Sequence, residues 1–97
     1  MFVGIAQYDF LVRGSTSLKD KRQVVKHILG KMRSRFNVAN AEVDHVDLRQ
    51  RATIGVTCVS NSSFHVKKML QEVERFVRSQ DSIEVVGASI EVVTPDA

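Results

Sequence analysis

A single α+β domain, in which a four-stranded antiparallel sheet carries two helices on one face, is the fold class this sequence predicts. Three observations carry the prediction. The spacing of apolar residues switches between about two and about 3.6, and back, twice along the chain. Turn segments rich in helix-capping residues, Gly14-Ser15-Thr16-Ser17 and Asn61-Ser62-Ser63, stand where each helical stretch begins. The 97 residues contain no linker and no low-complexity tract, which suits one modest core.

Residues 2–13 alternate, with Phe2, Ala6, Tyr8, Phe10 and Val12 in one phase and Val3, Ile5, Gln7, Asp9 and Leu11 in the other. Two partly apolar faces predict a central strand. Ser17 is an N-cap with Asp20 three residues on, the spacing of a capping box. From Leu18 to Phe36 the period is helical, with Leu18, Val25, Ile28, Leu29, Met32 and Phe36 in one stripe, Lys21 intruding near its start, and Asn37 as the expected C-cap. Val38 to Leu48 reads as a strand, joined by a tight Arg49-Gln50 connection to a second strand from Ala52 to Val59, an antiparallel hairpin. A second helix over 63–79 has the stripe Val66, Met69, Leu70, Val73, Phe76 and Val77, and a last strand runs from Ser82 to Val93 with Gly87 as a candidate bulge. The order β-α-β-β-α-β makes two βαβ halves, the ferredoxin-like pattern. With both helices on one face, the other face is left to solvent or to a partner.

Charge is unevenly spread over this frame. Between Arg13 and Arg35 stand eight Lys or Arg residues and one acid, Asp20; the rest of the chain holds six basic and ten acidic side chains, so the net charge of +3 conceals a dipolar molecule. Cations at a helix N-terminus oppose the macrodipole by about 0.3–1 kcal/mol each at exposed positions. A first turn that accepts Lys19, Lys21 and Arg22 points to a seat for an anion. At 100° per residue, Lys19, Arg22, Lys26 and Arg33 lie within about 60° of one another on one flank of the helix, a line of cations suited to a phosphate backbone.

Other motifs carry less. Arg13-Gly14-Ser15-Thr16-Ser17 offers amides, hydroxyls and a guanidinium near a helix start, which suits an oxyanion. It lacks P-loop spacing, and an acylphosphatase-like site with Arg13 as clamp would need a water-orienting partner that the sequence does not supply. Period two places Glu42 and Asp44 on one strand face and His45 with Asp47 on the other; two carboxylates without a third ligand read as a polar outer face. His27 and His65 share no metal-ligand spacing. The lone Cys58 excludes a disulfide within the chain, fits a reducing compartment and is expected to be buried and inert. Phe64 falls opposite its helix stripe and is expected to be exposed. The open sheet face is expected to show Val3, Ile5, Gln7, Asp9, Leu11, Glu42, Asp44, Thr53 and Thr57. Without aromatics and with several acids, it is unsuited to the base stacking of an RNA-recognition motif. No long apolar run predicts a membrane span, and the N-terminus lacks a basic n-region, so a cytoplasmic location is expected.

Through Ser17-Leu18-Lys19-Asp20-Lys21-Arg22, Phe36-Asn37-Val38, Ala41-Glu42-Val43-Asp44, Gln50-Arg51-Ala52 and Val59-Ser60, nearly the whole chain resembles the YlxP-like family of small bacterial proteins of unknown function. The resemblance implies a ferredoxin-like fold. Genes of that family often lie beside those of translation initiation and ribosome maturation factors, so it also implies a ribosome- or RNA-associated role. The family pattern usually has tryptophan where Arg49 stands, and it brings no catalytic residues.

The expectation is therefore a non-enzymatic cytoplasmic protein that contacts structured RNA or a ribosomal particle. Lys19, Arg22, Lys26 and Arg33 would track phosphates, Lys21 with the helix N-terminus would hold one phosphate, and Arg49 and Arg51 would add contacts. No catalytic residue, metal or cofactor is indicated. The alternative is a dimeric protein-interaction or small-ligand-sensing module that uses the open sheet face or an edge, motivated by Val3, Ile5 and Leu11.

Overall fold

The computed structural model describes residues 1–95. Strands β1 (Phe2–Val12), β2 (Ala39–Asp44), β3 (Arg51–Ser60) and β4 (Ile83–Val93) alternate with helices α1 (Leu18–Arg35) and α2 (Ser63–Arg78) in the expected βαββαβ order. The sheet order is β2-β3-β1-β4 with every pairing antiparallel, the ferredoxin-like arrangement. β1 is central, as its two apolar phases require, and its Ala6, Tyr8, Phe10 and Val12 are buried beneath the helices.

The core joins these residues to Val25, Ile28 and Met32 of α1, to Val66, Leu70, Val73, Phe76 and Val77 of α2, and to Ala52, Ile54, Val56 and Cys58 of β3. Each fully buried large aliphatic contributes about 1.5–3 kcal/mol relative to an exposed one. Close approach of α2 to β1 depends on Gly4, where an added Cβ would lie 2.5 Å from Val66 Cγ1 and 2.8 Å from Leu70 Cδ1. The buried Tyr8 hydroxyl donates to the Leu70 carbonyl at 3.5 Å across the same interface. The helices meet where Phe36 and Phe76 pack edge-to-face at 5.9 Å, with the Arg35 guanidinium over the Phe76 ring.

Cross-strand register fixes what each face shows. Ala39, Thr57, Ile5 and Glu91 form one open-face row, followed by Ala41, Gly55, Gln7 and Ser89, and then by Asp44, Thr53, Asp9 and Gly87. The expected open face is therefore reproduced, with one correction. Glu42 pairs with Ile54 and lies on the helix face by ordinary alternation along β2, whereas Asp44 reaches the open face because Val43 is an extra residue that shifts the β2–β3 register between Glu42 and Asp44. The two carboxylates thus stand on opposite faces, not on one.

Three boundaries also differ from the sequence reading. β2 ends at Asp44 instead of Leu48, since His45 turns into the left-handed region (φ 58°) and the chain leaves the sheet. The connection between β2 and β3 is consequently a six-residue loop, 45–50, and not a tight turn. The C-cap of α1 is Phe36 in extended backbone, one residue before Asn37. In β4 the register shifts so that Val86 is the extra residue, directly beside Gly87. Both sheet edges, β2 and β4, therefore carry bulges, which blunt edge-to-edge pairing.

Candidate nucleic-acid interface

α1 starts where a capping box fixes it. The Ser17 hydroxyl accepts from the Asp20 N–H at 3.0 Å, and Asp20 Oδ2 accepts from both the N–H (3.3 Å) and hydroxyl (3.0 Å) of Thr16. These hydrogen bonds from Thr16 hold the Asp20 carboxyl below the usual carboxylate range. The helix N-terminus thus already has its anion, supplied one turn into the same helix. The preceding turn is engaged as well: Ser15 Oγ donates to the Arg49 carbonyl at 2.7 Å, and Arg13 Nε donates to the Ile83 carbonyl at 3.3 Å.

Lys21 is the principal correction among the expected phosphate contacts. Its side chain is 0% exposed, and Nζ lies 2.8 Å from Glu42 Oε2, 2.9 Å from the carbonyls of His45 and Val46, and 3.3 Å from that of Arg51. An ammonium has three protons to give, and these four acceptors take them. Lys21 therefore binds the β2–β3 loop to the first turn of α1 and has no proton left for an external anion. Its intrusion into the apolar stripe was the sequence signal for this role, but its partner could be found only once the β2–β3 register sets Glu42 on the helix face, opposite Ile54.

The remaining helix cations sit as the stripe requires. Lys19, Arg22, Lys26 and Arg33 are exposed, and among the described residues none is in an ion pair. Arg22, Lys26 and Arg33 border a groove of about 210 Å³ between α1 and the edge strand β2, floored by Val25 and Leu29. Arg33 Nη1 donates to Asn40 Oδ1 at 2.6 Å, while Asn40 Nδ2 donates to the Leu29 carbonyl at 3.1 Å, so Asn40 anchors this guanidinium at the groove's end. Asn40 is a contributor that sequence patterning did not single out, because its role depends on β2 lying beside α1.

Arg49 and Arg51 fall on a second depression, of about 650 Å³, bounded by Leu11, Ser15, Thr16, Leu48 and Gln50. Arg49 is exposed and in no ion pair among the described residues. Arg51 is committed: Nε donates to Asp9 Oδ1 at 3.0 Å and Nη2 to Oδ2, a two-point pair across β3 and β1. The Arg51 guanidinium beside Asp9 holds its carboxyl below the usual range. The positions expected from the sequence thus divide into five free cations (Lys19, Arg22, Lys26, Arg33 and Arg49), one open-face pair (Arg51 with Asp9) and one buried clamp (Lys21).

Cys58 is buried, and burial pushes its thiol up, consistent with an inert core residue. Phe64 is 73% exposed at the start of α2. Among the described residues no group of three or more His, Cys, Asp or Glu side chains could hold a metal, and no helix is long and apolar enough to cross a membrane.

A ferredoxin-like protein from an uncultured marine organism, described as dimeric, is similar over the whole of both chains at 10% identity and a TM-score of 0.47. The protein of Bacillus subtilis (strain 168) named Uncharacterized protein YlxP is 37% identical over 82 residues, which cover 84% of this chain and 89% of that one. Residues 3–90 match the family described as Protein of unknown function (DUF503). The chain, with its ferredoxin-like frame and its cation-edged first helix, belongs to the DUF503 family.

Proposed function

We propose that this protein is a non-enzymatic, cytoplasmic RNA-associated protein that grips a phosphate backbone along the α1 edge of the groove against β2. One observation carries the reading: Lys19, Arg22, Lys26 and Arg33 are all exposed on one flank, and none is neutralised by a carboxylate among the described residues. A surface helix that serves only solubility mixes signs. The stripe spans the 15 residues from Lys19 to Arg33, about 21 Å at 1.5 Å per residue, long enough for its four cations to meet successive phosphates of one strand.

Arg49, on the loop held by Lys21, adds a fifth cation close to the start of the same helix. Glu42, the carboxylate that lines this groove, is taken by Lys21, and Asp44, Glu84 and Glu91 are exposed on or beside the opposite sheet face, which would repel a polyanion. Structured RNA or a ribosomal particle is the polyanion favoured by the gene surroundings that the YlxP-like resemblance implies. The test is ultraviolet cross-linking in cells followed by sequencing of the bound RNA. Ribosomal or other structured RNA recovered above background, and lost with Lys19, Arg22 and Lys26 all replaced by Glu, is the expected result. Recovery of no RNA above background, or undiminished recovery with that variant, overturns the proposal.

A further inference from the structure

β4 is an edge strand of 11 residues, and among the described residues no strand pairs with its outer side. Such an edge presents a row of unpaired N–H and C=O groups, which proteins blunt with bulges, prolines, lysines or sheer shortness. The Val86 bulge blunts only the first part of this one. Beyond it, Gly87–Val93 pairs with β1 in unbroken register from Asp9 to Val3, and the stretch carries no Lys, Arg or Pro and a single acid, Glu91. The opposite edge is better protected, since β2 has six residues, is bulged at Val43 and lies beside the α1 cations.

The stretch is also uncovered on its apolar side. Ala88 and Ile90 pair with the buried Tyr8 and Ala6 and so lie on the helix face, yet both are exposed, Ile90 at 41%. α2 stops short of them. Its Phe76 packs toward Phe36 of α1, and the flank turned away from α1 is polar, with Lys67, Gln71, Glu74 and Arg78. An apolar row at an unpaired edge is covered by one more strand that brings its own helix.

The occupant that fits is a second copy of this chain. The regular stretch is centred on Ile90, so a two-fold axis through Ile90 pairs all of it with itself: Ile90 with Ile90, Ser89 with Glu91, Ala88 with Val92 and Gly87 with Val93. Directly opposed residues share a face, so Ala88, Ile90 and Val92 of both copies form one apolar row, and each Glu91 meets a hydroxyl instead of another acid. An axis through Glu91 would oppose two carboxylates. The Val86 bulge and Pro95, which has no N–H, close the ladder at its ends.

The helices agree with this axis. Gly4 lies against Leu70 and the Tyr8 hydroxyl donates to its carbonyl, so Ala6, and Ile90 beside it, stand level with Leu70. The axis therefore runs the two α2 helices antiparallel and turns Lys67 of each toward the partner's Glu74, so that no like charges meet. We infer that this chain forms a two-fold dimer through antiparallel β4–β4 pairing over Gly87–Val93, giving one eight-stranded sheet. The α1 edges lie on the far side, beside β2, and stay free at the two ends of that sheet.

Sedimentation of the full chain from micromolar to millimolar concentration tests the inference, together with hydrogen exchange of the β4 amides. A concentration-dependent dimer is expected, with exchange between Gly87 and Val93 slowing as it forms. Ile90→Lys sets two ammonium groups at the axis and removes the apolar contact there, so it should weaken the dimer about tenfold or more. Ile5→Lys, on the open sheet face, should leave it unchanged. Ile90→Cys gives a second readout that does not depend on the fold tolerating a lysine: its thiols meet at the axis and should join the two copies under mild oxidation. A monomer throughout this range, a dimer that Ile5→Lys breaks and Ile90→Lys spares, or a dimer that Ile90→Cys does not cross-link overturns the inference.

Discussion

Replacing Lys21 with Met is the perturbation that most sharply separates a buried clamp from a phosphate contact. Methionine fills much of the lysine stem's volume but removes the ammonium that engages Glu42 Oε2 and the carbonyls of His45, Val46 and Arg51. Glu42 is left as a carboxylate only 15% exposed, without its cation. Breaking one partner of a buried pair costs about 3–5 kcal/mol, a large share of the roughly 5–15 kcal/mol that stabilises a domain of this size. The expected loss in urea or thermal unfolding is thus about 3–5 kcal/mol, a fall in Tm of at least ~12 °C at roughly 4–8 °C per kcal/mol. Lys21→Met combined with Glu42→Leu removes both charges and should recover about 1 kcal/mol or more of that loss. A loss below about 1 kcal/mol together with weakened RNA binding would refute the clamp. So would a double variant no more stable than the single one.

Other perturbations read different parts of the fold. Gly4→Ala should destabilise by about 1–3 kcal/mol in chemical unfolding, since its Cβ meets Val66 and Leu70, whereas Gly30→Ala in α1 has open space and should stabilise by about 0.5–1 kcal/mol. Because Arg51 lowers the Asp9 pKa in the folded state, the pair's stabilisation is complete above the ordinary carboxylate pKa of about 3.9 and is lost as pH falls through the lower folded value. NMR titration of Arg51→Met should return Asp9 toward the ordinary range; an unchanged midpoint would contradict the pairing. The Cys58 thiol should react with a thiol reagent slowly in the native protein and rapidly in denaturant, while equal rates would place it outside the core.

What the sequence disclosed and what it hid follow from the range of the interactions involved. Ser17 with Asp20, the apolar stripes of both helices and the two phases of β1 are local patterns, and each appears in the structure where periodicity put it. Patterning of period two cannot register an inserted residue, so the Val43 bulge escaped it and Asp44 came to stand on the face opposite Glu42. Lys21 marked itself as anomalous by its place in an apolar stripe, but its meaning rests on a carboxylate and three carbonyls 21 to 30 residues away. The free cations Lys19, Arg22, Lys26 and Arg33 were legible because one helix presents them all. The Arg51–Asp9 pair was not, because it joins β3 to β1 through register alone.

The central claim is that the α1 edge contacts a phosphate backbone, and the salt dependence of RNA binding measures it most directly. Four neutralised phosphates predict that log K falls against log[salt] with a slope of about −3 to −4. Each of Lys19→Ala, Arg22→Ala, Lys26→Ala and Arg33→Ala should reduce the magnitude of the slope by about one, while a folded Lys21 variant should leave it unchanged. A slope near zero, or one that the four helix variants leave intact, would contradict the account.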